Sequence, residues 1–440
     1  MTTLFTGGAV VTMDPLLGDL PRGDVLVSGT MITAVGPDLR THPAAANATV
    51  VDTTGRIVAP GFVDTHRHAW QAQFRRTIPD VGDLGAYVSS TLAGIAPAYT
   101  PHDMYVGTRL AALSALDAGI TTLLDFSHNS RSAAHSDAAI RGLAETGIRG
   151  VHASMAPHFG DWDRQWPADL NRLRDRLPEL VTLRLAALAT AEVAGPTLAY
   201  GPRLAAFARD LNIDVSVDAV LGHASSTAVL DWARQGLLGP GLSLIHATGL
   251  TGEAWRAIGD SGTAVSLAPT SDTQIGLATG IPAIDEALGV GVRPGLSVDV
   301  EVALVSDMFT QMRVLLAVQR MRAIGSGAPR ITTRDVLGFA TVDGARSIGL
   351  GSTTGSLTPG KQADLLVVEA EAINTMPLND PVGTLVLGAD PRNISTVLVA
   401  GRTLKRDGHL CAVDLDELRR EVTASRDAVR TRAGSRTSAA

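Results

Sequence analysis

Two histidines one residue apart, His66 and His68, close an apolar run that begins at Ala59. Alternate side chains of a β-strand point to the same face, so both imidazoles would project together from the end of a strand. Imidazole nitrogens are common ligands of divalent cations. A single histidine near a strand end is usually only a hydrogen-bonded polar residue, but the paired spacing predicts a metal site.

The segment that carries this pair has a wider resemblance. From Pro60 to His68 the sequence reads Pro-Gly-Phe-Val-Asp-Thr-His-Arg-His, which resembles the first-strand signature of the amidohydrolase superfamily, in its branch of cytosine-deaminase-like and chlorohydrolase-like enzymes. The resemblance extends from about residue 3 to about residue 410. It implies an α/β fold in which a (β/α)8 TIM-like barrel is joined to a small β-sandwich domain built from both chain ends.

The barrel would position the candidate residues. Between the chain ends, short β-branched or apolar runs alternate with helix-length segments, a pattern typical of parallel βα units. Catalytic groups of such barrels lie at the C-terminal ends of the strands, so the residues that close each run are the candidates. Barrel strands are predicted near residues 58–65, 121–126, 149–154, 183–188, 213–218, 242–246, 263–267 and 295–299.

The domain organisation follows from the same change of pattern. Residues 1–57 and 355–412 carry short β-rich runs separated by turn residues, and they are expected to form the composite sandwich, with residues 3–57 as an antiparallel sheet. Residues 58–354 should form the (β/α)8 barrel, which resembles the barrel of metal-dependent hydrolases. Residues 413–440 are predicted to hold a helix over Asp414–Arg430 and a disordered tail over Ala433–Ala440.

Two further polar residues close barrel runs. His246 follows the sixth run and Asp299 follows the eighth. The resemblance implies that a histidine at the end of the sixth run hydrogen-bonds the metal-bound water or the substrate. It also implies that a carboxylate at the end of the eighth run binds the metal and accepts a proton from the water. His246 and Asp299 are therefore candidate catalytic groups, and Asp299 is a candidate metal ligand with His66 and His68.

The fifth run departs from the family. Relatives place a metal-binding histidine at its end, often followed three residues later by a glutamate, whereas this chain has Asp218 and Leu221 at those positions. Asp218 is predicted as a weaker fourth metal ligand, as a residue that reaches the metal only through a bridging water, or as an acid or base in catalysis.

One divalent metal ion is the expected cofactor, with zinc as the first choice and manganese or iron as alternatives. Such an ion with an open coordination position lowers the pKa of a bound water molecule to about 7. Two carboxylates beside two imidazoles would fully neutralise the charge of the ion, so its water would be less acidic and oxygen-tolerant ions such as Mn²⁺ would compete better.

Several residues near the predicted strand ends are candidates for contact with a substrate. They combine aromatic surface, amide donors, imidazoles and a carboxylate, which suits a small polar or cyclic molecule. They are Trp70, Gln71, His128, His158, Asp272 and Gln274.

Composition narrows the class of protein. A net charge of −7 without a basic block argues against nucleic acid or an anionic membrane as a partner. One cysteine, Cys411, excludes an intramolecular disulfide and a cysteine metal cluster. The start lacks a basic segment followed by an apolar core, so a cytoplasmic protein is expected. A small-molecule substrate is the expected partner, and the resemblance implies a homo-oligomer.

The predicted function is hydrolysis of a C–N bond (amide, cyclic amidine or amino) or of a C–Cl bond in a small molecule by a metal-activated water. Three alternatives remain open because of Asp218 and Leu221. They are a metal-dependent lyase, isomerase or cyclase, a metal-free enzyme that uses Asp218, His246 and Asp299 for acid–base chemistry, and a binding protein on a decayed barrel.

Overall fold

A computed structural model describes residues 1–437 of the chain. In chain order, its β-strands are β1 Thr2–Val10, β2 Leu20–Ser28, β3 Met31–Gly36, β4 Thr49–Asp52, β5 Arg56–Pro60, β6 Phe62–Arg67, β7 Ile120–Ser127, β8 Arg149–Ser154, β9 Val181–Leu188, β10 Val215–Asp218, β11 Leu242–Ile245, β12 Ala264–Leu267, β13 Gly295–Leu296, β14 Leu365–Glu369, β15 Ile394–Val399, β16 Arg402–Arg406 and β17 His409–Leu410.

The α-helices are α1 Leu84–Tyr87, α2 Pro101–Asp117, α3 Ala133–Thr146, α4 Leu170–Arg174, α5 Pro202–Leu211, α6 His223–Arg234, α7 Gly252–Ser261, α8 Pro269–Ser271, α9 Ile284–Gly289, α10 Met308–Ser326, α11 Thr333–Phe339, α12 Val342–Ser347, α13 Pro381–Gly383 and α14 Leu415–Thr437. Three π-helical segments span Val88–Ile95, Asp272–Gly276 and Thr384–Gly388. Four 3₁₀ turns span Pro43–Ala45, Ala69–Phe74, Ala96–Ala98 and Pro391–Asn393. Within residues 1–437, every helix is too short or too polar to cross a lipid bilayer.

Strands β6 to β13 form an eight-stranded sheet in sequential order, and helices follow the strands as in a TIM barrel. Every predicted barrel strand is observed, so the predicted fold class is confirmed. The first strand begins at Phe62 rather than at residue 58, because residues up to Pro60 belong to β5 and pair with β14 in the other sheet. The apolar run continues across both strands, so hydrophobicity alone did not reveal the break at Gly61.

The barrel is closed by the backbone of Asp299, which lies three residues beyond β13. The amide of Asp299 donates to the carbonyl of His66 at 2.9 Å, and the amide of His68 donates to the carbonyl of Asp299 at 3.1 Å. Arg67 and Asp299 thereby form a parallel bridge between the first strand and the last. This seam places three of the predicted site residues in one hydrogen-bonded segment.

The remaining strands form a nine-stranded mixed sheet from both chain ends, as predicted for the composite domain. Strands β1, β2 and β3 are antiparallel, as expected, but β4 and β5 run parallel to β1. The core of this sheet includes Phe5, Val25 and Ile32 from the amino-terminal strands together with Leu365 and Leu398 from the carboxy-terminal strands. Neither chain end could bury these side chains alone.

The chain separates into two compact units. One contains residues 1–64, 114–122 and 307–412, and the other contains residues 65–113, 123–306 and 413–440. The predicted domain boundaries at residues 57, 354 and 412 remain predictions.

The predicted C-terminal helix is present as α14, and it extends to Thr437. The tail expected to be disordered from Ala433 is therefore helical over its first part, while residues 438–440 lie outside the described residues. Side-chain contacts explain the longer helix. Arg432 donates to the carbonyl of Ala98 at 2.8 Å, and Ser425 donates to the buried carboxylate of Asp103 at 2.7 Å.

The glycine between β5 and β6 gives a test of this arrangement. A Cβ atom at Gly61 would lie 2.0 Å from the side chain of Thr121 on β7. Gly61→Ala should therefore lower the free energy of unfolding by about 1–3 kcal/mol, the usual cost of overpacking. The matched control is Gly325→Ala near the end of α10, where a Cβ meets open space and should stabilise the helix slightly. Equal denaturant midpoints for the two variants would contradict the packing described.

Candidate active site

Five side chains converge at the C-terminal mouth of the barrel. They come from β6 (His66 and the adjacent His68), β10 (Asp218), the residue after β11 (His246) and the seam residue Asp299. Ligand atoms of His66, His68 and Asp218 lie within 4.8 Å of one another, and so do those of His66, His246 and Asp299. The structure thus brings together all the residues predicted as metal ligands or catalytic groups.

Hydrogen bonds orient the two imidazoles that flank Asp299. His68 Nδ1 lies 3.1 Å from the carbonyl oxygen of Phe126, which can only accept, so Nδ1 carries a proton. His68 Nε2 lies 3.1 Å from Asp299 Oδ1; burial opposes the charge of His68, but its hydrogen bond to Asp299 and the negative charge there raise the pKa of this imidazole. His66 Nε2 approaches the same carboxylate oxygen at 3.1 Å. A metal-binding histidine commonly has its second nitrogen fixed in this way by a backbone carbonyl.

His246 is oriented by a carboxylate. Its Nδ1 lies 2.8 Å from Asp272 Oδ1, in a pair that is fully buried. Its Nε2 lies 3.6 Å from Asp299 Oδ2 and 3.7 Å from Asp218 Oδ1. Asp272 was predicted to contact a substrate, but it lies behind His246 and holds that ring with Nε2 toward the site.

Asp218 has a carboxylate oxygen suited to a cation. Its Oδ1 is buried and has no hydrogen-bond partner among the described residues. A buried carboxylate oxygen without a hydrogen bond is costly, and a cation among the imidazoles would remove that cost. The donor set of nitrogen and carboxylate oxygen atoms fits a divalent transition metal such as zinc or manganese.

Backbone strain marks two of these residues. His246 has φ 64° and Asp299 has φ 69°, both in the left-handed region that non-glycine residues rarely adopt. Such strain persists where surrounding contacts enforce it, and it clusters at functional sites. At Asp299 the contacts are the two seam hydrogen bonds and the hydroxyl of Ser271, which donates to Oδ2.

The carboxylates set the local protonation. Burial of His246 opposes its charge, but the hydrogen bond to Asp272 and the nearby Asp299 and Asp218 outweigh burial and raise the pKa of His246 to about 10. Burial would raise the pKa of Asp299, yet hydrogen bonds from His66 and His68 hold it well below its usual range. The cluster therefore favours positive charge at its centre.

A cavity opens beside the cluster. Its walls combine aliphatic side chains with a few polar ones, and no Lys or Arg lines it within the described chain. The aliphatic walls include Leu84, Val88, Leu92, Leu188, Ile275 and Leu277.

Two of the predicted substrate contacts, His128 and His158, line this cavity. The rings of His68 and His128 are 4.1 Å apart between centroids, and those of His128 and His158 are 5.0 Å apart. Burial and the neighbouring His68 lower the pKa of His158 to about 3 and that of His128 well below its usual value. Both rings are therefore neutral and can donate or accept hydrogen bonds.

The other predicted contacts lie outside the cavity wall, so their contact with substrate remains only a prediction. Trp70 is fully buried and packs edge-on against Tyr99. Gln71 is also buried, and Gln274 points to solvent. The 3₁₀ turn over Ala69–Phe74 directs the side chains of Trp70 and Gln71 into the core instead of the cavity.

Sequence reasoning missed three residues that build the site. Ser271 and Tyr87 carried no motif. The third is Glu301, which forms a fully buried ion pair with Arg67 at 2.9 Å and binds Arg75 at 2.6 Å. The sequence did contain a signal for this ion pair. Arg67 lies between the paired histidines, and Glu301 follows Asp299 by two residues.

Comparison of the sequence with known proteins matches the chain to one family of enzymes. The amidohydrolase family model matches residues 57–404. A 5-methylthioadenosine/S-adenosylhomocysteine deaminase from Syntrophobacter fumaroxidans is 27% identical over 436 residues, covering 95% of this chain and 96% of that protein. An 8-oxoguanine deaminase from Pseudomonas aeruginosa is 28% identical over 429 residues, covering 91% and 93%.

Solved structures share the fold. An atrazine chlorohydrolase from Arthrobacter aurescens, complexed with zinc, has a TM-score of 0.83 at 21% identity, with 96% of this chain and 100% of that chain covered. An adenosine deaminase from Xanthomonas campestris, with bound zinc, has a TM-score of 0.82 at 23% identity, with 98% of each chain covered.

The site geometry predicts how metal content responds to substitution. Replacing His66 and His68 together with alanine should abolish retention of a divalent ion, because it removes two of the converging nitrogen ligands. Asp218→Ala should lower retention less, since one carboxylate is lost. Elemental analysis of protein purified without chelator measures this. The control is His223→Ala, exposed at the start of α6. Unchanged metal content in the double variant would show that the site is misassigned.

Proposed function

The chain belongs to the amidohydrolase family and is a metal-dependent hydrolase of small molecules, and we propose that it hydrolyses a C–N or C–Cl bond at a ring carbon of a neutral nitrogen heterocycle, with zinc as its cofactor. The observation that carries this proposal is the convergence of His66, His68, Asp218, His246 and Asp299 in one cluster, beside a cavity whose wall is mostly aliphatic. The cluster supplies the reactive centre, and the cavity supplies the binding surface.

Asp218 bears on the choice between hydrolysis and the non-hydrolytic alternatives. Those alternatives arose because the fifth strand lacks the family's histidine. In the structure, the carboxylate at this position reaches the same cluster as the imidazoles, within 4.8 Å of His66 and His68. The number of donors is therefore maintained, although their charge is greater.

The metal ligands would be His66, His68, Asp218 and Asp299. When bound, a divalent ion supplies Lewis acidity that makes water nucleophilic near neutral pH. Asp299 accepts the proton of the attacking water, because its carboxylate is ionised and held in place by Ser271.

His246 completes the proton path. Its Nδ1 is committed to Asp272, so only Nε2 can exchange a proton with the site. Because the pKa of His246 is raised to about 10, Nε2 holds a proton that it can give to the leaving group, and Asp299, with Oδ2 3.6 Å away, can then return a proton to it. Water adds its oxygen to the ring carbon, and the leaving group departs as ammonia or chloride.

The cavity wall supports a neutral substrate. Its aliphatic side chains favour apolar ring surface, and its neutral imidazoles, His128 and His158, offer hydrogen bonds without charge. Since the described part of the wall carries no Lys or Arg, a substrate carboxylate would be buried there without a cation.

Zinc is favoured by its suitability for imidazole ligands, and manganese remains the main alternative because two carboxylates are present. A homo-oligomeric state and a cytoplasmic location remain predictions.

A matched set of compounds tests the proposed function. The zinc-loaded protein should release ammonia or chloride from neutral heterocycles among 5-methylthioadenosine, 8-oxoguanine and atrazine, and chelation should abolish the release. S-adenosylhomocysteine shares the nucleoside of 5-methylthioadenosine but adds a charged amino-acid tail, and it should be the poorer substrate of that pair. Ammonia and chloride assays measure both effects. Preference for the charged compound, or no release from any of the four, would contradict the proposal.

A further inference from the structure

Tyr87 contributes the one hydroxyl group among the side chains that line the cavity in the described chain. It is the last residue of α1 and is 5% exposed. The π-helical segment Val88–Ile95 continues from it and adds Val88 and Leu92 to the same wall. Tyr87 is therefore held on a cavity-lining segment rather than on a barrel strand.

The hydrogen bonds behind Tyr87 decide the direction of its proton. The backbone amide of Glu301 donates to Gln71 Oε1 at 3.3 Å, so this end of the Gln71 amide must be the oxygen. Gln71 Nε2 then faces the Tyr87 hydroxyl at 2.7 Å and donates to it. Because the Tyr87 oxygen accepts from Gln71, its own hydrogen is not used in that bond, and Tyr87 is one of the side chains that line the cavity.

The proposed chemistry needs such a donor. Attack of water on a ring carbon moves negative charge onto the adjacent ring nitrogen, and a donor aimed at that atom stabilises the transition state. The family's fifth-strand glutamate is replaced by Leu221, which does not line the cavity and cannot donate from its side chain. Asp218 and Asp299 are acceptors when ionised.

We propose that Tyr87 is a catalytic residue that donates a hydrogen bond to the substrate ring nitrogen next to the attacked carbon. This inference rests on the proposed hydrolysis of a neutral heterocycle. Water supplies the oxygen that bonds to carbon, and the leaving group takes the electrons of the broken bond. Tyr87 keeps its proton throughout and supplies only the hydrogen bond.

The electrostatic environment supports a donor that stays protonated. Burial, together with the negative charge of Asp299 and Asp218, raises the pKa of Tyr87 well above its usual value. The phenol is therefore neutral over the whole range in which the enzyme would work, and its hydrogen is present at every such pH.

Tyr87→Phe removes the hydroxyl and keeps the ring, so it tests the proposal directly. With the best heterocycle found for the zinc-loaded enzyme, kcat should fall about 100-fold, as for the loss of a transition-state donor, and KM should rise about tenfold, as for one lost neutral hydrogen bond to the bound ring. The pH profile should keep its shape, because Tyr87 does not titrate. Tyr99→Phe is the matched control, since Tyr99 is equally buried but lies outside the cavity wall. A Tyr87→Phe kcat within threefold of the control value would overturn the proposal.

Binding gives a readout that does not depend on turnover. Unsubstituted purine has ring nitrogens but no leaving group, and its Kd should rise about tenfold in Tyr87→Phe, as for one lost neutral hydrogen bond, and stay unchanged in Tyr99→Phe. Equal Kd values in all three proteins would overturn the role of Tyr87 even if hydrolysis were confirmed. Failure of purine to bind the parent protein would overturn the neutral-heterocycle cavity, and this inference with it.

A second variant guards against misfolding of Tyr87→Phe. Gln71→Glu keeps an oxygen for the amide of Glu301 but replaces the donor to Tyr87 with an acceptor, which would capture the Tyr87 hydrogen. A loss of kcat similar to that of Tyr87→Phe, with zinc content unchanged, supports the proposal. Full kcat in Gln71→Glu would contradict it.

Discussion

Two backbone hydrogen bonds join Asp299 to His66 and His68. The same two bonds close the barrel and bring the site residues together. The same residues that complete the sheet provide three of the candidate metal ligands. Their side chains therefore have little freedom to separate without opening the barrel. The buried ion pair between Arg67 and Glu301 fastens the same seam from its other side, and breaking such a pair usually costs several kcal/mol.

Charge is the second constraint on this centre. Asp218, Asp272 and Asp299 lie around His246, which is buried with them. Buried carboxylates need positive charge nearby, so the cluster gains free energy from protons or from a cation. A second carboxylate would bind a divalent ion more strongly and make it a weaker Lewis acid, which increases the need for other groups, such as Tyr87, to stabilise the transition state.

Sequence reasoning reached the parts of this site that depend on local pattern. His68 and Asp299 could be predicted because strand ends in a parallel barrel share one edge, and the first strand was misplaced only where an apolar run crosses two strands. Trp70 could not be placed, because a short 3₁₀ turn directs it into the core. Tyr87 carried no signal, since its position depends on a π-helical segment, Val88–Ile95, that has no sequence period of its own.

Anomalous diffraction from crystals of the zinc-loaded protein, recorded on both sides of the zinc absorption edge, would locate the metal and its ligands. We expect one zinc peak at the barrel mouth, about 2.0–2.2 Å from nitrogen atoms of His66 and His68 and from carboxylate oxygens of Asp218 and Asp299. A peak elsewhere, or a zinc ion that leaves Asp218 more than about 3.5 Å away across a bridging water, would contradict the assignment of Asp218 as the fifth-strand ligand.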